Sequence, residues 1–421
     1  MRALKFVKHR LYGRGTVLET RHHGLELRVA FERGPEQWVR YEDVCSLEEE
    51  ASPAPPAPAP SLSSAPSAAR TLIEALRLGI VPHSHVAQFT VGRESEVAQI
   101  KSWLHDGPDG AFLLVGEYGA GKTHLLEYTR MLALHEGFAV ALAALDANEA
   151  PLYRPKRVYQ KLVASFGWGA PDGTCQDFRE LLRAISRQSH DLLTHPYLGP
   201  VLEMLRRGDE DPERWAWIEG CESRCKPILY DHSTAANLYC HLLTALGWAV
   251  ARRLGGKGLL LLFDEAEVVN MLVTRDQLAR GENFVKGLVW ACQSRPELLQ
   301  EEGNLDGPQT RLRYHGHARV RFLYRSPSYT KAILAFTPTP ALEVPYLKAL
   351  PRMHLEPLPA AVWQSLFEQV VDLYRAAYGF ALPSALQARV MARLRHSLPG
   401  THQSLCQGRG GSPGSASLPR A

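Results

Sequence analysis

Phe112-Leu-Leu-Val115-Gly116-Glu117-Tyr118-Gly119-Ala120-Gly121-Lys122-Thr123 is the stretch that decides the fold class of this chain. An apolar run of strand length enters a glycine-rich turn, and the turn opens on a helical segment beginning near His124. Glycines let successive backbone N–H groups face one concavity. The N-terminus of the helix adds the positive end of its dipole. Lys122 brings a point charge for β- and γ-phosphates, and the Thr123 hydroxyl is a magnesium ligand. The expectation is a phosphate-binding loop for ATP and Mg2+, with Gly116, Glu117, Tyr118, Gly119, Ala120, Gly121, Lys122, Thr123 and His124 as contacts.

A second apolar run, Leu259-Leu-Leu-Leu-Phe263, ends in Asp264-Glu265. Asp264 is expected to hold the magnesium, and Glu265 to act as general base on the attacking water. Alone, such a strand end marks only a boundary; coupled to the loop it indicates a P-loop ATPase. Val140-Ala-Leu142 and Ala332-Ile-Leu-Ala-Phe336 read as further strands between helical segments. Apolar runs alternating with helices predict a parallel sheet covered on both faces. Thr337 follows the last run, either as a catalytic hydroxyl or as part of a Thr-Pro turn.

Outward from this core the chain changes character. Residues 1–50 carry short alternating apolar runs broken by glycines, which predict a small all-β barrel of SH3 or Tudor kind. Residues 51–69 are almost entirely Ala, Pro and Ser, a linker composition. Residues 70–340 are expected to form the ATPase core, with a helical insertion at about 150–240. Residues 341–396 are expected to form a helical lid and 397–421 a low-complexity tail. Arg311 to Arg325 is basic with aromatics interleaved; period-two alternation there predicts a hairpin. Its Arg319 and Arg321 either grip nucleic-acid phosphates or belong to a solvated face.

Composition narrows the classes. The net charge of +4 is small for 421 residues and does not itself argue for a nucleic-acid binder. No apolar run reaches the roughly 18 residues of a membrane span, and the first residues lack a signal-peptide pattern. The expected compartment is the cytoplasm. Seven cysteines without a repeated spacing are expected to be free thiols.

The core resembles the ATP-binding proteins of bacterial BREX-type phage-exclusion systems, the BrxD-like family of the AAA+/STAND group. The resemblance spans about 69–394. It rests on Ile73-Glu-Ala-Leu-Arg-Leu-Gly-Ile-Val-Pro82, Val91-Gly-Arg93-Glu94, the loop itself, Leu262-Phe-Asp-Glu-Ala-Glu267 and Phe336-Thr-Pro338. It implies that Arg93 lies beside the adenine and that Thr337 senses the γ-phosphate or the water. It also implies that an arginine near Arg352 reaches a neighbouring subunit of a homo-oligomer, and that defence-system proteins such as a helicase are partners. The chain departs from the pattern after Ser397, where no lid arginine follows. Val7 to Val17, Val29-Ala-Phe31 and Trp38-Val39 resemble Tudor-like modules of DNA-repair helicases. That implies docking on DNA or a DNA-bound protein through Lys8, Arg10, Tyr12, Arg14 and Trp38; alternatively Trp38 is core. The rival functions are a nucleotide-regulated scaffold with little turnover and an origin-type DNA loader.

Overall fold

The computed structural model describes residues 6–9, 13–21, 26–31, 36–40, 44–46, 66–77, 85–169, 175–267, 274–300 and 310–397. The chain divides into two compact units, 1–63 and 64–421.

In the first unit, β1 (Phe6–His9), β2 (Gly13–Arg21), β3 (Glu26–Phe31), β4 (Gln37–Arg40) and β5 (Val44–Ser46) form one antiparallel sheet in the order β4-β3-β2-β1-β5. Strand periodicity puts Leu27, Val29 and Phe31 on one face, where they bury with Val39 against Val17. Trp38, next to Val39 and so on the opposite side of β4, is 37% exposed and stands outside that core.

The second unit is built on β6 (Gly110–Gly116), β7 (Phe138–Ala144), β8 (Gly167–Gly169), β9 (Cys175–Gln176), β10 (Gly258–Asp264), β11 (Thr330–Phe336) and β12 (Arg352–Leu355). They lie in the order β12-β6-β11-β10-β7-β8-β9. The pairs from β12 through β7 are parallel, and β8 and β9 add an antiparallel edge. Every residue of β10 and β11 is buried, as a sheet covered on both faces requires. Alternate residues divide between two cores. Leu113, Val115, Leu261 and Phe263 face one, and Phe112, Leu114, Leu260 and Leu262 face the other.

Helix Lys122–His135 covers the second face. On the first face lies helix Ala236–Arg253, buried over nearly its whole circumference between β10 and helix Arg275–Cys292. Between β7 and that helix the chain forms helices Pro155–Ala164, Phe178–Gln188, Gly199–Arg206 and Pro212–Ile218, with Trp215 and Trp217 fully buried.

Three expectations need correction. Residues 310–329 form no hairpin. Leu312, Ala318, Phe322 and Leu323 are buried there, and helix side chains satisfy the backbone that a partner strand would have paired. Asn237 Nδ2 donates to Ala318 O and Val320 O, both at 2.8 Å. Asn283 donates to Arg313 O at 3.0 Å and accepts from Arg313 N at 2.7 Å. Secondly, the segment after residue 340 is not purely helical. Arg352–Leu355 joins the sheet as β12, and the helical part comprises Pro345–Lys348, Ala360–Tyr378 and Ser384–Ser397. Thirdly, helix Pro66–Arg77 begins inside the stretch read as linker. Its Ala69, Leu72 and Ile73 pack on Leu373 and Ala377, and Arg70 Nε donates to Ala377 O at 2.8 Å.

His195 and His241 stack in the first core, ring centroids 4.8 Å apart. Burial pushes His195 well below its ordinary value, and burial with the charge of Arg321 pushes His241 down to about 3. Both are therefore neutral when folded, whereas unfolded histidine takes a proton below about pH 6.5. Protons then favour the unfolded chain, so stability falls as the pH drops below that value, by up to about 1.4 kcal/mol per pH unit for each ring. Urea midpoints between pH 7.5 and 5.0 should show this decline. His241→Gln should make its slope shallower, whatever the variant's stability at pH 7.5.

Candidate nucleotide site

β6 delivers the chain at Gly116 beside the end of β12, where Leu355 pairs with it. The loop turns back through Ala120 N to Glu117 O at 3.1 Å, and Gly121 caps helix Lys122–His135. Gly119 and Gly121 have φ of +80° and +93°. Nothing lies within 4 Å of a Cβ built on either, so backbone sign alone demands glycine there.

Lys122 is buried, and its Nζ donates to Gly116 O at 2.8 Å and Glu117 O at 3.2 Å. The ammonium thus folds across its own loop. Thr123 is exposed, and its Oγ1 donates to Asp264 Oδ2 at 2.6 Å. Asp264 is itself buried at the end of β10, and its Oδ1 accepts from Glu265 N at 3.0 Å. Glu265 follows with φ of +54°, uncommon for a residue with a side chain, and is exposed. Burial of its carboxyl group raises its pKa, as do the charges of Asp264, Glu267 and Asp146, while Lys122 opposes them. Thr337 continues from β11, and its Oγ1 donates to Glu267 Oε1 at 2.8 Å.

The structure brings Lys122, Thr123, Asp264, Glu265 and Thr337 to the same edge of the sheet, the C-terminal ends of β6, β10 and β11. Arg93 has partners within the protein. It is 7% exposed, and Nη2 donates to Ala120 O and Glu356 O, each at 2.8 Å, while Nη1 reaches Glu96 at 2.7 Å. It therefore braces the loop backbone against the chain leaving β12. His124 Nε2 lies 2.7 Å from Thr90 Oγ1, and burial, with the charge of Arg93, lowers the pKa of the ring. Gly92, φ +67°, lies under Val362, whose Cγ2 would be 2.6 Å from an added Cβ. The element around Arg93 thus touches both the loop and the first helix beyond β12.

Arg352 opens β12 opposite Leu113, at the strand end away from the loop, and donates to Lys348 O at 3.2 Å. Arg319 is exposed, and Arg321 is half-buried with Nη1 at 3.4 Å from Leu299 O. Lys8 and Arg14 face each other in the β1–β2 register, while Arg10 and Tyr12 lie outside the described residues. Cys175, Cys221, Cys225, Cys240 and Cys292 are free thiols. Among the described residues no helix is long and apolar enough to cross a membrane. Sequence reading missed Asp146 and Glu267 as members of the acidic group. Glu267 closes the run Leu262–Glu267 on which the resemblance rests, but that run gave it no role of its own.

Residues 65–174, roughly a quarter of the chain, match the family model described as BREX system ATP-binding protein BrxC/D. The matched stretch holds β6, the glycine-rich loop, helix Lys122–His135 and β7. It supports an ATP-binding protein of a BREX phage-defence system. No curated protein matches the chain.

Lys122→Ala removes the one ammonium that lies on the loop and leaves the glycine turn intact. ATP affinity, measured by calorimetry, should fall about 100-fold or more, the scale of a lost charged contact in a partly desolvated site. Retention of wild-type affinity would remove Lys122 from the phosphate site.

Proposed function

We propose that this chain is a magnesium-dependent ATPase of the AAA+/STAND group, acting as a conformational switch or motor in a bacterial BREX-type defence assembly in the cytoplasm. The observation that carries the reading is the 2.6 Å hydrogen bond from Thr123 to Asp264. It unites the hydroxyl after the loop lysine with a buried carboxylate from another strand, and both are hard oxygen donors of the kind magnesium prefers. Magnesium bound there would offset the charge of the phosphates. Lys122 and the backbone N–H groups of the loop other than that of Ala120 would cradle those phosphates, and Thr123 and Asp264 would hold the metal. Glu265 takes the proton of the attacking water; its raised pKa makes it a stronger base than an ordinary glutamate. Helices Ala360–Tyr378 and Ser384–Ser397 form the lid, tied to the loop through Arg93 and Gly92.

Glu265→Gln keeps the shape of the site and removes the base. ATP should still bind, and turnover should fall on the order of 100-fold or more. A variant hydrolysing at the wild-type rate would falsify the assignment of the base.

The N-terminal sheet is read as a Tudor/SH3-like docking module, and DNA as its target or as a contact of Arg319 and Arg321. Other defence proteins, including a helicase, are the expected partners, and the ATPase is read as a homo-oligomer. Deleting residues 1–63 should leave ATP affinity unchanged, because unit 64–421 holds its own cores. DNA titrations over a salt series, run on that deletion and on Arg319→Ala with Arg321→Ala, identify the contact. The variant lacking it should bind more weakly with a flatter salt dependence. Unchanged binding in both takes DNA contact away from these two elements.

A further inference from the structure

Asp264-Glu265-Ala266-Glu267 carries a third carboxylate to which the proposed reaction assigns no role. Glu267 lies one short turn beyond β10 and is half-buried. Its Oε1 accepts from Thr337 Oγ1 at 2.8 Å, a bond between residues 70 apart in sequence at the ends of two neighbouring strands. Its Oε2 is buried and has no hydrogen-bond partner among the described residues. Burying a carboxylate oxygen without a donor costs stability, so Glu267 is a poor choice for a purely structural prop.

The chemistry of the bond fixes its direction. An ionised carboxylate only accepts, so the Thr337 hydroxyl must be the donor. Its proton is then committed to Glu267, and the threonine presents only oxygen lone pairs to its open side. A hydroxyl in that state accepts from a water O–H. It has no proton left to give a phosphate oxygen. Thr337 stands at the end of β11, which lies between the loop strand β6 and the acidic strand β10. That is between the phosphate cradle and Glu265.

We infer that Glu267 is a positioning residue: it accepts the hydrogen bond of the Thr337 hydroxyl and so sets Thr337 as the acceptor that aligns the attacking water. Thr337 is thereby excluded as a donor to the γ-phosphate. The inference rests on the ATPase reading above. It names a division of labour in which Glu265 removes one proton of the water and Thr337 holds the other.

The test uses the full-length chain with magnesium and ATP. Glu267→Ala and Thr337→Val should each lower kcat about ten-fold or more, with KM changed less than about two-fold. Thr337→Ser and Glu267→Gln keep a donor and an acceptor at the two ends and should retain most of the rate. The double variant Glu267→Ala/Thr337→Val should be no slower than the slower single one, because both remove the same contact. The affinity of Thr337→Val for a non-hydrolysable ATP analogue, relative to ADP, should equal that of the wild type. Loss of analogue affinity relative to ADP would make Thr337 a γ-phosphate contact and overturn the inference. Multiplying losses in the double variant, or a wild-type rate in Glu267→Ala, overturn it while leaving the ATPase standing. If Glu267→Ala does not fold, the contrast between Thr337→Val and Thr337→Ser decides alone. A wild type without magnesium-dependent turnover removes the ATPase reading and this inference together.

Discussion

The hydrogen bond from Thr123 to Asp264 is the constraint on which the rest of the site depends. It joins residues 141 apart in sequence and two strands that are not neighbours. β11 lies between β6 and β10, so the loop strand and the acidic strand stand about 9–10 Å apart, two inter-strand spacings. A side chain leaving β6 does not span that gap. Thr123 spans it because the loop carries the chain above the sheet edge before the helix begins. The same arrangement leaves the end of β11 beneath the bridge, and that is where Thr337 emerges. Parallel pairing makes all of this automatic. Phe336 pairs with Val115, and Leu334 pairs with Phe263, so the three C-terminal ends come level.

Holding those ends level requires a stiff sheet, which explains why the strands are so apolar. β10 and β11 expose no residue, and the two faces are packed by different helices. Burial of about 25 cal/mol per Å² of apolar surface on both sides makes any shift in register costly. A slip of one residue would also send Leu261 and Phe263 to the face that holds Leu260 and Leu262. Charged groups are held at the periphery of this layer. Lys331, inside β11, is the exception, and its ammonium leaves the sheet to bond Trp103 O and Asp106 O at 2.9 and 2.8 Å.

What was legible in the sequence follows from which interactions are local. The loop, its strand and its helix are contiguous, and the acidic strand announces itself by the apolar run Leu259–Phe263 followed at once by Asp264 and Glu265. The four long parallel strands were visible for the same reason. β12 was hidden because four residues carry only Met353 and Leu355 as an apolar signal, too little for any periodicity. The stretch 310–329 misled because alternating burial is the pattern of a strand and also of a loop wedged between helices. Only Asn237 and Asn283, distant in sequence, reveal which it is. The partners of Arg93 were invisible in principle. Two of them are backbone carbonyls, which every residue has, so no residue type marks them.

The electrostatics of the site shows why so exposed a glutamate sits where it does. The charges of Asp146, Asp264 and Glu267 act on Glu265, and that of Lys122 opposes them. Like charges so arranged cost stability in the folded chain. The same repulsion raises the proton affinity of Glu265, since taking up a proton relieves it. Burial of the Glu265 carboxyl group is the larger cause of its raised proton affinity, and the repulsion within the acidic cluster adds to it. A chain optimised for stability alone would dilute the cluster, and in doing so would lower the proton affinity of Glu265. The positive φ of Glu265 belongs to the same compromise. It goes with a change of environment between two adjacent carboxylates, Asp264 buried and Glu265 exposed.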